Sequence, residues 1–175
     1  MPNSLIAFYR GEQPDDQGRR IQDLLRWDHD RLEDTHDYIQ WLFPTRQRSA
    51  FNPGAPVLDE SVVDAFRAGP ALRDALLAAF RVMLDFYGFR YDDAPGGRPS
   101  ITPGDRWAER RANWLTPGNH NHLRITRILT SLRALDLAEQ AAAFFAALDG
   151  VYRSPEGRAI SRETYGFWKN AAAGA

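Results

Sequence analysis

Leu72, Leu76, Phe80, Met83, Leu84 and Tyr87 recur at three- and four-residue steps, which lines one face of an α-helix. Pro70 stands where a first-turn proline belongs and Gly88 where a left-handed C-cap belongs, so the helix is bounded at both ends. Ile125, Ile128, Leu129, Leu132 and Leu135 form a second stripe, on a helix from about Asn119 to Leu135. Ile21, Leu24 and Leu25 start an earlier helix, and Leu32, Ile39 and Leu42 mark another that halts at Pro44. Ala138 to Asp149 reads as helix ended by Gly150, and Ser154-Pro155 reads as the capped start of a last helix toward Trp168. Thr102-Pro103-Gly104-Asp105 has the shape of a capping box that opens a helix carrying Trp107 and Trp114. Strand signals are scarce, since no run of alternating β-branched residues reaches even about five. The pattern predicts an all-α, single-domain bundle of about seven to eight helices. Two long irregular loops interrupt it, Thr45 to Leu58 and Phe89 to Gly104, the second carrying Pro95-Gly96-Gly97.

Composition removes several function classes. With 43% hydrophobic residues in 175, the chain can bury a core. The absence of cysteine excludes disulfides, thiolate metal sites and a cysteine nucleophile. No secretory leader is legible at the start, and the longest apolar run, Ala141 to Leu148, is far below the roughly 20 residues of a spanning helix. A cytoplasmic location is the expectation. The net charge is -1 with 22 Lys+Arg, among which Lys169 is the only lysine. Charge is nonetheless segregated. Asp23, Asp28, Asp30, Glu33, Asp34 and Asp37 outweigh Arg26 and Arg31, whereas Arg106, Arg110, Arg111, Arg124, Arg127 and Arg133 outweigh Asp105 and Glu109.

Familiar catalytic motifs are missing: no phosphate loop, dinucleotide fingerprint, nucleophile elbow or zincin helix occurs. His29, His36, His120 and His122 are the only imidazoles. His29 and His36 are two helical turns apart, too far to chelate one ion by themselves. No metal or cofactor is expected. His120, Arg124, Arg127 and Ser131 share a stripe beside the apolar one, and guanidinium forks there suit a carboxylate or phosphate. Internal neutralisation of Asp34 or Asp37 is the simpler use of those arginines. The aromatics Trp27, Tyr38, Trp41, Phe43, Trp107 and Trp114 are core by default, although Tyr38 and Trp41 share a face that could stack a ring.

Two strings are more specific than any of this. His36-Asp37-Tyr38-Ile39-Gln40-Trp41-Leu42-Phe43-Pro44 and His120-Asn121-His122-Leu123-Arg124-Ile125-Thr126-Arg127-Ile128-Leu129 closely resemble the two signatures of the opioid growth factor receptor domain. Met83-Leu84-Asp85-Phe86-Tyr87-Gly88, Leu32-Glu33 and Trp27 also match, and the resemblance runs from about Leu5 to Asp149. It implies an N-terminal segment at residues 1–18, the family's helical domain at 19–150, and a C-terminal helix and short tail of the same domain at 151–175. Vertebrate members are described as receptors for an enkephalin pentapeptide and carry a long acidic tail. The arginine-rich, lysine-poor composition suggests a bacterial member instead.

The expectation is a binding module for a small molecule or peptide with an anionic group. Its candidate residues are His36, Tyr38, Gln40, Trp41, Asn113, His120, Asn121, Arg124 and Arg127, gathered in a polar cluster between the two signature helices. Arg124 and Arg127 would take the anion, and Tyr38 or Trp41 an apolar part. The alternatives are an enzyme of unknown reaction using His36 or His120 as acid/base with Asp37, and phosphate-backbone binding through Arg106, Arg110, Arg111, Arg124 and Arg127. The oligomeric state is left open.

Overall fold

The computed structural model describes residues 4–93 and 98–174; Pro95-Gly96-Gly97 lies outside the described residues. It is predominantly helical, with ten α-helices among the described residues and one two-stranded antiparallel sheet. Internal contacts divide the chain into two compact units, residues 1–82 and 83–175.

The first unit holds α1 (Ser4–Tyr9), α2 (Ile21–Leu24), α3 (His29–Asp34), α4 (Ile39–Leu42), α5 (Glu60–Ala68) and most of α6 (Pro70–Tyr87). Helices of one turn are not stable alone, so packing decides. Phe8 meets Trp41 with ring centroids 5.2 Å apart, and Tyr9 meets Phe66 edge-on at 5.0 Å. The buried Tyr9 hydroxyl donates to the Leu42 carbonyl, and burial pushes its pKa far up. The single helix expected to carry Leu32, Ile39 and Leu42 is instead two. Asp28 caps α3 by accepting from the Arg31 N–H at 2.8 Å. Thr35 is extended, and the Tyr38 hydroxyl donates to the Leu32 carbonyl at 3.1 Å. The side chain thus supplies a partner that the broken helix does not.

The second unit begins within α6 and continues with β1 (Phe89–Asp92), β2 (Ser100–Pro103), α7 (Trp107–Arg110) and a 3-10 turn at Arg111–Asn113. α8 (Asn121–Ala134), α9 (Ala138–Arg153), a 3-10 turn at Pro155–Ala159 and α10 (Arg162–Ala173) complete it. The hairpin corrects the expectation of an irregular segment from Phe89 to Gly104. Phe89 pairs with Pro103 and Asp92 with Ser100, so Thr102 and Pro103 belong to a strand rather than to a helix cap. Gly88 does end α6 in the left-handed region, at φ +89. A Cβ there would lie 2.8 Å from the Arg110 Cβ.

Two other boundaries differ. α9 continues through Gly150, which is exposed and costs a helix only about 1 kcal/mol. Ser154 caps the short 3-10 turn, whereas Ser161 caps α10 by accepting from the Thr164 N–H at 3.0 Å. Phe89 joins Trp107, Trp114 and Phe144 in one aromatic cluster, with centroids 4.9, 6.0 and 5.9 Å away. The Trp114 indole donates to the Tyr87 carbonyl at 3.0 Å. No helix among the described residues is long and apolar enough to cross a membrane.

α10 is fastened to α8 through Trp168. Its ring is fully buried, stands edge-on to His122 at 5.6 Å, and its indole N–H donates to the His122 carbonyl at 3.0 Å. Trp168→Ala is expected to cost about 3–5 kcal/mol, read as a lower urea midpoint. His122 itself sits against the Trp114 carbonyl at 2.9 Å, and burial lowers its pKa. A depressed folded pKa favours the neutral ring, so the unfolded chain takes up the proton first. Stability should therefore fall as pH drops below about 6.5 and level off below the folded pKa. The urea midpoint measured from pH 7.5 to 5 should show a smaller decline in His122→Gln; an equal decline would assign the effect elsewhere.

Candidate anion-binding site

Asp37 belongs to the first signature, in the short link between α3 and α4. Its carboxylate accepts from Arg19 Nη1 at 2.7 Å, while Asp15, buried, accepts from Arg19 Nε at 2.6 Å. Asp15 also accepts from the main-chain N–H groups of Gln17 and Arg19, which fixes it in turn. Burial works against the charge on Arg19, but the bonds to Asp37 and Asp15 outweigh it and push its pKa up. The guanidinium is thus held charged, and its Nη2 is buried with no hydrogen-bond partner.

Arg19 lies over the Trp27 ring with 5.6 Å from Cζ to the centroid, and Arg31 lies over it at 4.3 Å. Tyr38, fully buried, meets Trp27 edge-on at 5.4 Å. The first signature therefore supports Trp27 from behind. A hollow of about 370 Å³ opens beside the ring, lined by Gly18, Arg19, Asp23, Arg26, Trp27 and Arg31. Arg26 and Arg31 are exposed, and among the described residues neither guanidinium has a carboxylate partner. Asp23, the one acid on the wall, accepts from the Arg20 N–H at 2.9 Å. Converging guanidiniums of this kind bind carboxylate or phosphate oxygens.

Sequence reasoning passed over this group, because Arg26 and Arg31 lie in a segment whose formal balance is acidic. The legible signal was the spacing: Arg31 follows Trp27 by four positions and Arg26 adjoins it.

The residues proposed from the sequence fall in both units. In the first, His36 is exposed and Tyr38 is buried. Gln40, 5% exposed, reaches Ser49 Oγ at 3.5 Å and leaves its Oε1 without a partner. Trp41 is buried and donates from its indole to Asp16 at 3.0 Å. In the second unit, Asn119 caps α8 from outside, accepting from the Asn121 N–H at 2.9 Å. Asn121 is fully buried, and its Oδ1 accepts from Arg124 Nη1 at 3.3 Å. Arg124 is 5% exposed; Arg127 is half-buried, and burial lowers its pKa. His120 is exposed at the N-cap of α8. Asn113 is exposed, and its amide oxygen, turned toward Arg110, accepts from both guanidinium Nη atoms at 3.1 Å.

The other arginines are engaged within the unit. Arg110 is buried, donates to the Phe86 carbonyl at 2.9 Å and lies over the Phe86 ring. Arg106 grips Glu109, and Arg111 pairs with Glu156. Among the described residues no group of three or more histidines or carboxylates is arranged to hold a metal ion.

Comparison with known proteins bears on this geometry. The family described as the opioid growth factor receptor (OGFr) conserved region matches residues 3–149. Rat opioid growth factor receptor is 40% identical over 138 residues, covering 75% of this chain and 23% of that protein. The human protein of the same name is 38% identical over 138 residues, 75% of this chain and 20% of its own length. Opioid growth factor receptor-like protein 1 from Xenopus tropicalis is 36% identical over 140 residues, 77% of this chain and 26% of its own. The chain thus spans about a quarter of the length of these relatives. No solved structure matches. A match across most of the chain, spanning both signature strings, places the chain in the opioid growth factor receptor family.

Proposed function

We propose that this domain is a binding module for a peptide or small molecule with an anionic group, held in the hollow beside Trp27. The observation that carries the reading is the exposure of Arg26 and Arg31 without carboxylate partners, next to a third arginine pinned by Asp15 and Asp37. Preorganised donors lower the cost of binding, and Arg19 is fixed before any ligand arrives. The relatives' name, opioid growth factor receptor, agrees with recognition of a peptide. The proposal moves the anion contact away from Arg124, which is buried against Asn121, to side chains that face solvent.

Titration of the protein with inorganic phosphate and with an acidic peptide, followed by tryptophan fluorescence, tests the reading. Arg26→Ala and Arg31→Ala should each weaken binding by about tenfold, as loss of a charge-assisted hydrogen bond requires, and salt should weaken it further. Arg98→Ala, in the second unit, should leave it unchanged. Equal binding by the Arg26→Ala/Arg31→Ala chain would overturn the assignment. Asp37→Asn removes one of the two carboxylates on Arg19, and it should weaken phosphate binding while the fold persists by circular dichroism.

A further inference from the structure

The loop between α4 and α5 exposes the most accessible large apolar residue among the described ones, Phe51, at 85%. Single exposed apolar residues are ordinary on protein surfaces. Phe51 differs in being presented by a turn held by several hydrogen bonds. Ser49 Oγ accepts from the Phe51 N–H at 3.2 Å and the Asn52 N–H at 3.1 Å. Thr45 Oγ donates to the Gln47 carbonyl at 3.0 Å, and the Leu58 N–H closes the base of the loop on the Thr45 carbonyl at 3.0 Å. Ala55 and Leu58 of the same loop are buried, whereas Phe51 faces water. An exposed aromatic has only two side-chain torsions to fix on binding, which suits an interface anchor.

The loop and the hollow meet at one residue. The Asp37 carboxylate grips Arg19 on the wall of the hollow, and the Asp37 carbonyl accepts from Asn52 Nδ2, beside Phe51, at 3.5 Å. Asp37 is itself partly exposed, with 40% of its side chain accessible. Near Phe51, Arg48 donates to the Pro53 carbonyl at 3.0 Å, and among the described residues its charge meets no carboxylate. Arg46, by contrast, is paired with Glu60. Arg26, Arg31 and Arg48 are thus exposed guanidiniums with no carboxylate partner among the described residues, and Asp37 links the wall of the hollow to the loop that carries Arg48 and Phe51.

Resting on the anion reading of the hollow, we infer that the partner is an acidic polypeptide segment whose carboxylates meet Arg26, Arg31 and Arg48 and whose apolar side chains cover Phe51. A lone small anion would leave Phe51 unused. A nucleic-acid strand would bring its phosphates against the exposed carboxylates Asp28, Asp30 and Asp34 on the neighbouring α3. A peptide can place its acids selectively.

Random dodecapeptides displayed on phage, selected on the full chain, supply the probe. The enriched sequences are then synthesised and titrated against the wild-type, Phe51→Ala, Arg48→Ala and Arg26→Ala/Arg31→Ala chains. Phe51 is exposed, so its truncation should leave the circular dichroism spectrum and urea midpoint unchanged. The inference expects peptides enriched in Asp or Glu beside Leu, Phe or Trp, weakened about tenfold or more by Phe51→Ala and by the arginine pair. Peptides that ignore Phe51→Ala but lose affinity in the Arg26→Ala/Arg31→Ala chain overturn this inference and leave the hollow reading standing. Peptides indifferent to the arginine pair overturn that reading too. Failure to enrich acidic sequences overturns the inference, as does sedimentation showing that Phe51→Ala dissociates a dimer, which would make the occupant a second copy.

Discussion

Large aromatic side chains that bury their rings and give their one polar hydrogen to a main-chain carbonyl elsewhere in the same unit hold this fold together. Tyr9 does so at Leu42, Tyr38 at Leu32, Trp114 at Tyr87 and Trp168 at His122. A buried hydroxyl or indole N–H without a partner costs about 1–3 kcal/mol. Each of these rings is therefore tied to a specific carbonyl, and each tie fixes one short segment against another. Helices as brief as α3 and α4 persist on that account, since their own hydrogen bonds are too few to sustain them.

The arginines divide by what their charge meets. Arg110 is enclosed by a carbonyl and the face of Phe86, Arg106 and Arg111 meet glutamates, and Arg19 is shared by two aspartates. Arg26, Arg31 and Arg48 meet no acid among the described residues. The formal balance of a segment says nothing about this division. The acidic stretch from Ile21 to Tyr38 contains Arg26 and Arg31, whose guanidiniums meet no acid among the described residues, while its Asp28 caps α3, Asp23 accepts from the Arg20 N–H and Asp37 grips Arg19.

Long periodic helices were legible from the chain. α6 runs from Pro70 to Tyr87 with its expected glycine stop, and α8 carries the Ile125–Leu132 stripe in its core. The hairpin was not, because its strands are four residues each and expose Arg90 and Ser100, so neither alternation nor apolar content marks them. The division of α3 from α4 depends on a side-chain bond from Tyr38, and periodicity does not register such bonds. The two signatures were recognisable as strings. What the first one builds was not: Asp37, Tyr38 and Trp41 act on Arg19, Trp27 and Asp16, partners 11 to 25 positions away.

Gly88 and Arg110 share one small space. A methyl group at position 88 would have to displace the first carbon of the Arg110 side chain and crowd the Trp107 backbone, at 2.8 and 3.1 Å. Arg110 cannot retreat without abandoning the Phe86 carbonyl, so the missing side chain at 88 is what leaves room for that arginine. In a saturation scan position 88 should admit glycine alone, since the atom that opposes it is a Cβ that shortening residue 110 does not remove, and the positive φ penalises any side chain there.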